Sequence, residues 1–466
     1  MSENNGKLPA RRKLTYGLGA VSDVIMANII FQLAMPIYNI ELGVRAGLIG
    51  LAISIPRLWD AFTDPFMGNV SDNTRSRFGR RRPWLALGGL LGGLFCALMW
   101  MPPPGWGEDA LFAYFLVVSI LFFTAYTVFS VPFNALGYEM SPDYNERTSV
   151  MAYKTFVMNI GSTLFLPWVY KLCFLPAFGD GPLEGARTVG ILIGVVIFVF
   201  ALLPAVFCRE RAEAQAQAKI KLGSALKETF RNRSFLMVAG IVFCILMAIF
   251  LAFPLMMYIN LAVVFRGMEA EAAKEAFANI NGVYNTVYGG LGIAAVPVVN
   301  VLGRRFGKRR TLLAGLTCVA TAFLLSPFLF TPEMPYLQVG VAVLASPGLS
   351  CVWVLTSSML ADVTDEDELA TGLRREGMFG AAFGLLVKLG MAGVMALSGV
   401  IIEWSGFDPE STSQTVETQL FLKGFFAGAP LFFLLVALTL TWKFPLTRKR
   451  MAEIKEELAR KRETAG

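Results

Sequence analysis

Roughly a dozen runs of apolar residues, each near the length that crosses a bilayer as a helix, recur along this chain of 466 residues. Only 16% of the residues are charged, whereas a typical soluble domain has about 25%. We therefore predict an all-α integral membrane protein with twelve transmembrane helices. The segments fall at about 14–39, 46–70, 83–103, 109–136, 149–175, 187–207, 234–264, 279–302, 310–330, 336–361, 377–402 and 419–443.

The residue types that are missing exclude several functions. The chain has no histidine, which excludes histidine-ligated metal sites, Ser-His-Asp triads and histidine proton relays. Its six cysteines form no C-x-x-C pair and lie mostly within apolar runs, as buried apolar residues do. The sequence offers no nucleophile and base together. We expect a protein that is not an enzyme and holds no resident cofactor.

Lysine and arginine concentrate in alternate loops, which predicts the orientation in the membrane. Segment 1 is too long for a signal peptide and is interpreted as the first transmembrane helix. Both termini are predicted to be cytoplasmic, in a cell inner membrane, and the basic charge is a topology signal rather than evidence of nucleic-acid binding. The two most basic loops carry Arg75, Arg77, Arg80, Arg81 and Arg82 after segment 2, and Arg304, Arg305, Lys308, Arg309 and Arg310 after segment 8.

These two loops also reveal a duplication, because RFGRRR at 77–82 returns as RFGKRR at 305–310, 228 residues later. Repeated six-helix halves are typical of two-bundle transporters. We divide the chain into an N-terminal bundle (1–207), a cytoplasmic linker (208–233), a C-terminal bundle (234–443) and a cytoplasmic tail (444–466). The tail is predicted to be a solvated helix with pairs such as Glu456 and Arg460.

Asp60 and Asp64 lie inside segment 2, four residues apart, and therefore share one helix face. Two carboxylates at membrane depth must share a proton, pair with a cationic side chain or bind a metal cation. Lys388 in segment 11 could pair with them and leave one net negative charge for a monovalent cation. The alternative is a structural ion-pair network between the halves. The equivalent positions in the second half are Tyr288 and Gly292, so only one half is expected to carry the ion.

Polar side chains in other segments are candidates for binding a hydroxylated solute. Hydroxyls, amides and aromatic faces bind sugars, although interhelical hydrogen bonding is the alternative role for each of them. The candidates are Asp23 in segment 1, Tyr126, Ser130 and Asn134 in segment 4, Lys154 and Asn159 in segment 5, and Asn285 and Tyr288 in segment 8.

The stretch RLWDAFTDPFMGNVSDNTRSRFGRRRPW (57–84), with YGLGA (16–20), ERT (146–148) and ADVTDEDELATGLRREG (361–377), resembles the glycoside–pentoside–hexuronide:cation symporter family. This is the melibiose-permease branch of the major facilitator superfamily. The resemblance implies the major facilitator fold, with two six-helix bundles. It also implies that Asp60 and Asp64 hold the coupling ion (Na⁺ as a metal ligand set, or H⁺), with Thr63 and Thr127 beside them. Lys388 and Arg57 match the charge partners of that site.

The sugar site departs from the family pattern. Ser130 stands where the family has a carboxylate, Asn134 where it has a tryptophan, and Asp23 lies one residue from the expected aspartate position. The family's segment-5 arginine falls at Lys154 or Thr155. We therefore expect a glycoside, pentoside, uronide or anionic sugar other than an α-galactoside.

The predicted function is secondary active symport of a sugar-like solute with Na⁺ or H⁺ by alternating access, in a monomer surrounded by membrane lipid. Two alternatives remain open. A lysolipid or other amphipathic solute could be carried by the same fold, and a non-transporting sensor could be built on it.

Overall fold

A computed structural model describes residues 8–141, 143–208, 229–372, 376–409, 411 and 413–465. Over these ranges helices are the only regular secondary structure, and they follow the predicted order. They are α1 (Ala10–Glu41), α2 (Ala46–Asn73), α3 (Arg82–Met99), α4 (Glu108–Glu139), α5 (144–172), α6 (Pro182–Phe207), α7 (Arg233–Val264), α8 (Ala270–Phe306), α9 (Lys308–Leu329), α10 (Pro335–Thr371), α11 (Glu376–Trp404), α12 (Val416–Lys443) and α13 (Arg448–Ala465).

The helices α1 to α12 correspond one by one to the predicted apolar segments. Ten of them are long and apolar enough to cross a membrane. The other two, α2 and α5, carry interior charges, among them Asp60 and Asp64 on α2 and Lys154 on α5. A helix that lines a polar site must be less apolar than one that only faces lipid. Most of the predicted linker, residues 209–228, lies outside the described residues.

Two helices at matching positions of the repeat end in wide π-helical turns. These turns cover Met35–Glu41 in α1 and Asn260–Val264 in α7, whereas a third occupies Gly161–Phe165 in α5. Such turns release backbone groups from the regular α-helical ladder and often occur near functional sites.

The helices pack most closely within the predicted halves. In the first half α1 packs on α5 and α6, α2 on α4, and α3 on α4 and α6. In the second half α7 packs on α11 and α12, α8 on α10, and α9 on α10 and α12. Contacts between the halves come mainly from α2 against α11 and from α5 against α8. The acidic pair on α2 therefore lies on a helix at the boundary between the halves.

Glycine makes the α2–α11 contact possible. A Cβ atom at Gly399 would lie 2.4 Å from the Ala46 carbonyl oxygen, and one at Gly50 would lie 2.8 Å from the Met395 carbonyl oxygen. Real Cβ atoms do not approach backbone oxygen this closely. The two helices thus touch backbone to backbone near the start of α2 and the end of α11.

The terminal face is the end of the bundle where α1 begins and α12 ends, and the distal face is the opposite end. Polar contacts join the halves at the distal face. They are Lys274 Nζ to Glu41 Oε1 (2.8 Å), Lys171 Nζ to Glu275 Oε1 (2.5 Å), Tyr258 Oη to Asn39 Oδ1 (2.7 Å) and the Gly47 amide to Glu403 Oε1 (2.9 Å). These contacts hold the distal ends of the two halves together.

The tail helix α13 differs in part from its prediction. The Glu456–Arg460 pair is present, with Arg460 Nη2 2.7 Å from Glu456 Oε1. Its other side is not solvated, because Met451, Ile454 and Leu458 are buried. Their spacing of three and four residues forms an apolar stripe, which packs on the bundle. This apolar stripe was not predicted from the sequence, because most residues of this helix are charged.

Candidate functional site

The acidic pair on α2 meets a hydroxyl from α4. Thr127 Oγ1 lies 3.2 Å from Asp60 Oδ1 and 3.0 Å from Asp64 Oδ1. One turn of helix separates the two aspartates, so that both carboxylates reach the same partner. Asp60 is 1% exposed, whereas the Asp64 side chain is 33% exposed. The pair is thus buried at one end and open at the other.

Thr63 lies at the edge of this cluster. Its Oγ1 is 3.4 Å from Thr127 Oγ1 and 3.2 Å from the Trp59 carbonyl oxygen, to which it donates. A hydroxyl that donates to its own helix keeps its lone pairs available. Thr63 and Thr127 therefore present two neutral oxygens beside the two carboxylates.

Lys388 reaches the pair from the other half. Its Nζ forms an ion pair with Asp64 Oδ2, and this contact crosses from α11 to α2. Both side chains are about one-third exposed, at 34% and 33%. The predicted pairing of Lys388 with this acidic cluster is therefore present, and it joins the two halves near the middle of the membrane-spanning helices.

Arg57 supplies the second positive charge. Its Nη1 lies 3.8 Å from Asp60 Oδ2, and its Nη2 donates to the Ala27 carbonyl oxygen of α1. Its guanidinium also stacks over two aromatic rings, 5.1 Å from the centroid of Phe31 and 4.6 Å from that of Phe123. These contacts hold the charge in a fixed place.

With Arg57 included, the four charged groups of the cluster sum to zero. The predicted single negative charge counted Asp60, Asp64 and Lys388, and the structure places Arg57 beside them as a fourth charged group. The assignment of a monovalent cation to this cluster stays a prediction. A neutral cluster gives a monovalent cation no excess charge to bind. Lys388, on the opposite half, is the more exposed of the two positive side chains, at 34% against 12% for Arg57.

A second polar cluster joins α1, α4 and α5. Lys154 Nζ lies 3.2 Å from Asp23 Oδ2 and donates to Asn134 Oδ1 at 2.5 Å. The Asn134 amide donates in turn to the Ser130 carbonyl oxygen at 2.8 Å. Asp23 Oδ1 is buried and has no hydrogen-bond partner among the described residues. A buried acceptor without a partner is costly. The Tyr126 side chain lies beside the Asp23 carboxylate, and a ligand hydroxyl or water could complete the hydrogen bonding of this oxygen.

Tyr126 lies between the two clusters. It is close enough to interact electrostatically with Asp23 on one side and with Arg57, Asp60 and Asp64 on the other. Its neighbour in sequence, Thr127, is the residue that bridges the acidic pair. The α4 turn that holds Tyr126 and Thr127 thus contacts both groups of charges.

Three predicted substrate residues are not connected to this second cluster. Asn285 donates to the Asn281 Oδ1 atom at 2.8 Å, one turn earlier on its own helix α8. Tyr288 is also on α8, and the side chain of Asn159 makes no hydrogen bond to the described residues. No hydrogen bond or ion pair in the described ranges joins any of the three to Asp23 or Lys154. Their assignment remains a prediction.

Sequence reasoning missed the residues that hold Arg57 in place. Phe31 and Phe123 are aromatic residues in apolar segments, and Ala27 contributes only its carbonyl oxygen. No spacing or motif distinguishes them from ordinary packing residues. The pairing of Asp23 with Lys154 could have been predicted from the sequence, because the two residues carry opposite charges within two apolar segments.

The profile of the family described as MFS/sugar transport protein matches residues 15–448. The chain belongs to this family. Its relatives include the uncharacterized symporter sll1374 of Synechocystis sp., which is 27% identical, with 97% of each chain covered. The glucuronide carrier protein homolog of Escherichia coli is 24% identical, with 97% of this chain and 96% of that one covered.

Another relative is the sodium-dependent lysophosphatidylcholine symporter 1 of Gallus gallus, which is 23% identical, with 89% of this chain and 83% of that one covered. Among solved structures, a bacterial homologue of the human lysosomal transporter Spinster is 14% identical, with 98% of this chain and 99% of that one covered at a TM-score of 0.68. The family match confirms the predicted resemblance, and the structural similarity confirms the all-α major facilitator fold.

Proposed function

We propose that this member of the MFS/sugar transport family is a cation-coupled symporter of a sugar-like solute. The observation that carries the proposal is the Thr127 hydroxyl, which lies within 3.2 Å of Asp60 and Asp64 while Lys388 of the opposite half pairs with Asp64. Two carboxylates and two hydroxyls are suitable oxygen ligands for Na⁺, and the carboxylates alone suffice for H⁺.

In this proposal Lys388 and the coupling cation compete for Asp64. A cation that binds between Asp60 and Asp64 replaces the charge that Lys388 supplies, so the ammonium group is released from α2. That release removes a link between α2 and α11. Binding of the ion is thereby connected to the freedom of the two halves to move, as alternating access requires.

The proposed solute site is the cluster of Asp23, Tyr126, Asn134 and Lys154. Lys154 and the unpartnered oxygen of Asp23 can bind a carboxylate and a hydroxyl of the same ligand. This pair of charges suits an acidic sugar, and the name of the glucuronide carrier relative supports this class. The basic loops of the terminal face support a cytoplasmic location for that face.

The test is uptake of labelled solutes into vesicles that contain the purified protein, with Na⁺ and H⁺ gradients imposed separately. The panel contains a glucuronide, a pentoside, a neutral glycoside and lysophosphatidylcholine. Asp60→Asn and Asp64→Asn remove one charge each from the proposed ion site. Asp109→Asn is the matched control, because Asp109 is exposed at the start of α4.

We expect one gradient to drive uptake of a sugar, and we expect both site variants to lose accumulation while they still bind the sugar. The control should accumulate it normally. Accumulation by both site variants at the wild-type level would refute the ion site. Gradient-driven uptake of lysophosphatidylcholine without sugar uptake would favour the lipid alternative, for which the Gallus gallus relative is the supporting observation.

A further inference from the structure

A large open cavity lies on the terminal face of the second half, far along the helices from Asp60 and Asp23. Its volume is about 1330 Å³, and its walls come from the ends of α8 and α10, the start of α9, the end of α12 and the tail helix α13. The described tail helix is docked by Met451 and Ile454, so it forms a fixed wall of this cavity.

The cavity is strongly basic. Eight of its lining residues are Arg or Lys and one, Asp362, is acidic. The formal charge of the lining is therefore +7, which equals the net charge of the whole chain. Lys308 neutralises Asp362 at 2.6 Å. Arg304, Arg310 and Lys449 have no ion pair or side-chain hydrogen bond within the described ranges, so their charges face the cavity uncompensated.

The other copy of the repeated motif pairs its arginines with carboxylates. In the first half, Arg81 is buried and forms ion pairs with Asp72 and, at 2.9 Å, with Glu139. Arg309 is the equivalent of Arg81, and among the described residues its side chain hydrogen-bonds only to the Phe444 carbonyl oxygen, at 3.4 Å. The equivalent of Asp72 is Asn300, which lines the cavity. The second copy therefore has the cations of the first copy but an amide, Asn300, in place of the carboxylate of Asp72.

The walls are also partly apolar. Phe306, Leu313 and Trp442 line the cavity together with the basic residues, and Phe306 and Trp442 are 50% and 64% exposed. Tryptophan at the end of a membrane helix is typical of the level of the lipid head groups. A ligand that fits this lining has an anionic group for the arginines and an apolar part for the adjoining surface.

We propose that this cavity binds the anionic head group of a phospholipid from the leaflet at the terminal face. Its phosphate would lie among Arg304, Arg310 and Lys449, and its acyl chains would lie along Phe306, Leu313 and Trp442. Basic pockets beside membrane helices bind anionic head groups by this combination of charge and apolar contact. The site is independent of the proposed transport function.

The test measures lipid binding to the full-length protein in detergent by native mass spectrometry and by thermal unfolding. The probes are phosphatidylglycerol, phosphatidylcholine with the same chains, and glycerol phosphate, which has the anionic group without chains. The variant Arg304→Gln/Arg310→Gln removes two cavity charges. The control Arg75→Gln/Arg77→Gln removes two exposed charges from the loop after α2, so the net charge changes equally. Lys449→Gln on α13 tests a second wall of the same cavity.

We expect the wild type and the control to bind phosphatidylglycerol in preference to phosphatidylcholine. The cavity double variant should bind phosphatidylglycerol roughly thirtyfold more weakly, since each basic residue near a membrane surface adds about one kcal/mol. Lys449→Gln should lose a smaller factor. Unchanged affinity in the cavity variants, or equal loss in the control, would overturn the proposal. Equal binding of glycerol phosphate would overturn the lipid assignment and indicate a site for free anions.

Discussion

Replacing Lys388 with methionine tests whether the lysine competes with the coupling cation. The Lys388–Asp64 pair joins α11 to α2. Two unit charges ~4 Å apart attract each other by about 4 kcal/mol at an effective dielectric constant near 20. The two side chains are 34% and 33% exposed, so solvent screens part of this energy and we take about 2 kcal/mol.

A cation that no longer has to displace Lys388 gains this free energy. We expect Lys388→Met to lower the cation concentration for half-maximal binding roughly thirtyfold. Net uptake should fall at the same time, because a cation that binds more tightly leaves more slowly. Isothermal titration with Na⁺, or titration of uptake with pH if H⁺ is the coupling ion, measures the first effect. Efflux from loaded vesicles measures the second.

The matched control is Lys171→Met, which breaks another ion pair between the halves without touching the acidic pair. Lys171 pairs with Glu275 at the distal face. Its substitution should leave cation affinity unchanged. Weaker cation binding in Lys388→Met, or an equal gain in Lys171→Met, would refute the competition, because the lysine would then position the site or act only as a link between the halves.

Three further substitutions test other parts of the structure. Thr127→Val removes the hydroxyl shared by the two aspartates and should raise the half-saturating cation concentration at least tenfold. Thr124→Val, the control, should leave that concentration unchanged. Titration of both variants with the cation measures the difference. Lys154→Ala should raise the KM for an acidic sugar more than that for a neutral one, and equal KM changes would contradict the solute assignment. Gly399→Ala should push α2 away from α11 and destabilise the contact between the halves at the distal face by about 1–3 kcal/mol. Gly393→Ala should not do so, because there is open space around Gly393. Thermal unfolding and chemical labelling of residues at the distal face measure the difference.

Much of the proposed ion site was predictable, because it depends on the spacing of residues within one helix. The spacing of Asp60 and Asp64 fixes them on one face of a helix, and opposite charges in apolar segments must find each other. The charge balance was indicated only by the family resemblance, which named Arg57 as a charge partner. It depends on Arg57, whose place is fixed by a carbonyl oxygen of α1 and by two aromatic rings, and these contacts leave no pattern in the sequence.

The twelve helices followed from apolar length alone, while their irregularities did not. The π-helical ends of α1 and α7 depend on partners from elsewhere in the chain, such as Asn39 with Tyr258 and Asn260 with Gln338. The packing of the tail helix on the bundle was also not predicted. Its three buried apolar side chains are spread through a highly charged segment.

The bond from Arg57 to the Ala27 carbonyl oxygen has a thermodynamic consequence. Ala27 lies one helical turn after Asp23 on α1, so one rigid turn of backbone connects the partner of Asp60 to the partner of Lys154. If occupancy of one site shifts this turn, the two binding equilibria are linked, and linkage is reciprocal. The factor by which a bound cation tightens sugar binding must equal the factor by which bound sugar tightens cation binding. Measuring either ratio therefore determines the other, and Arg57→Lys, which cannot make the same planar contacts, should reduce both ratios equally.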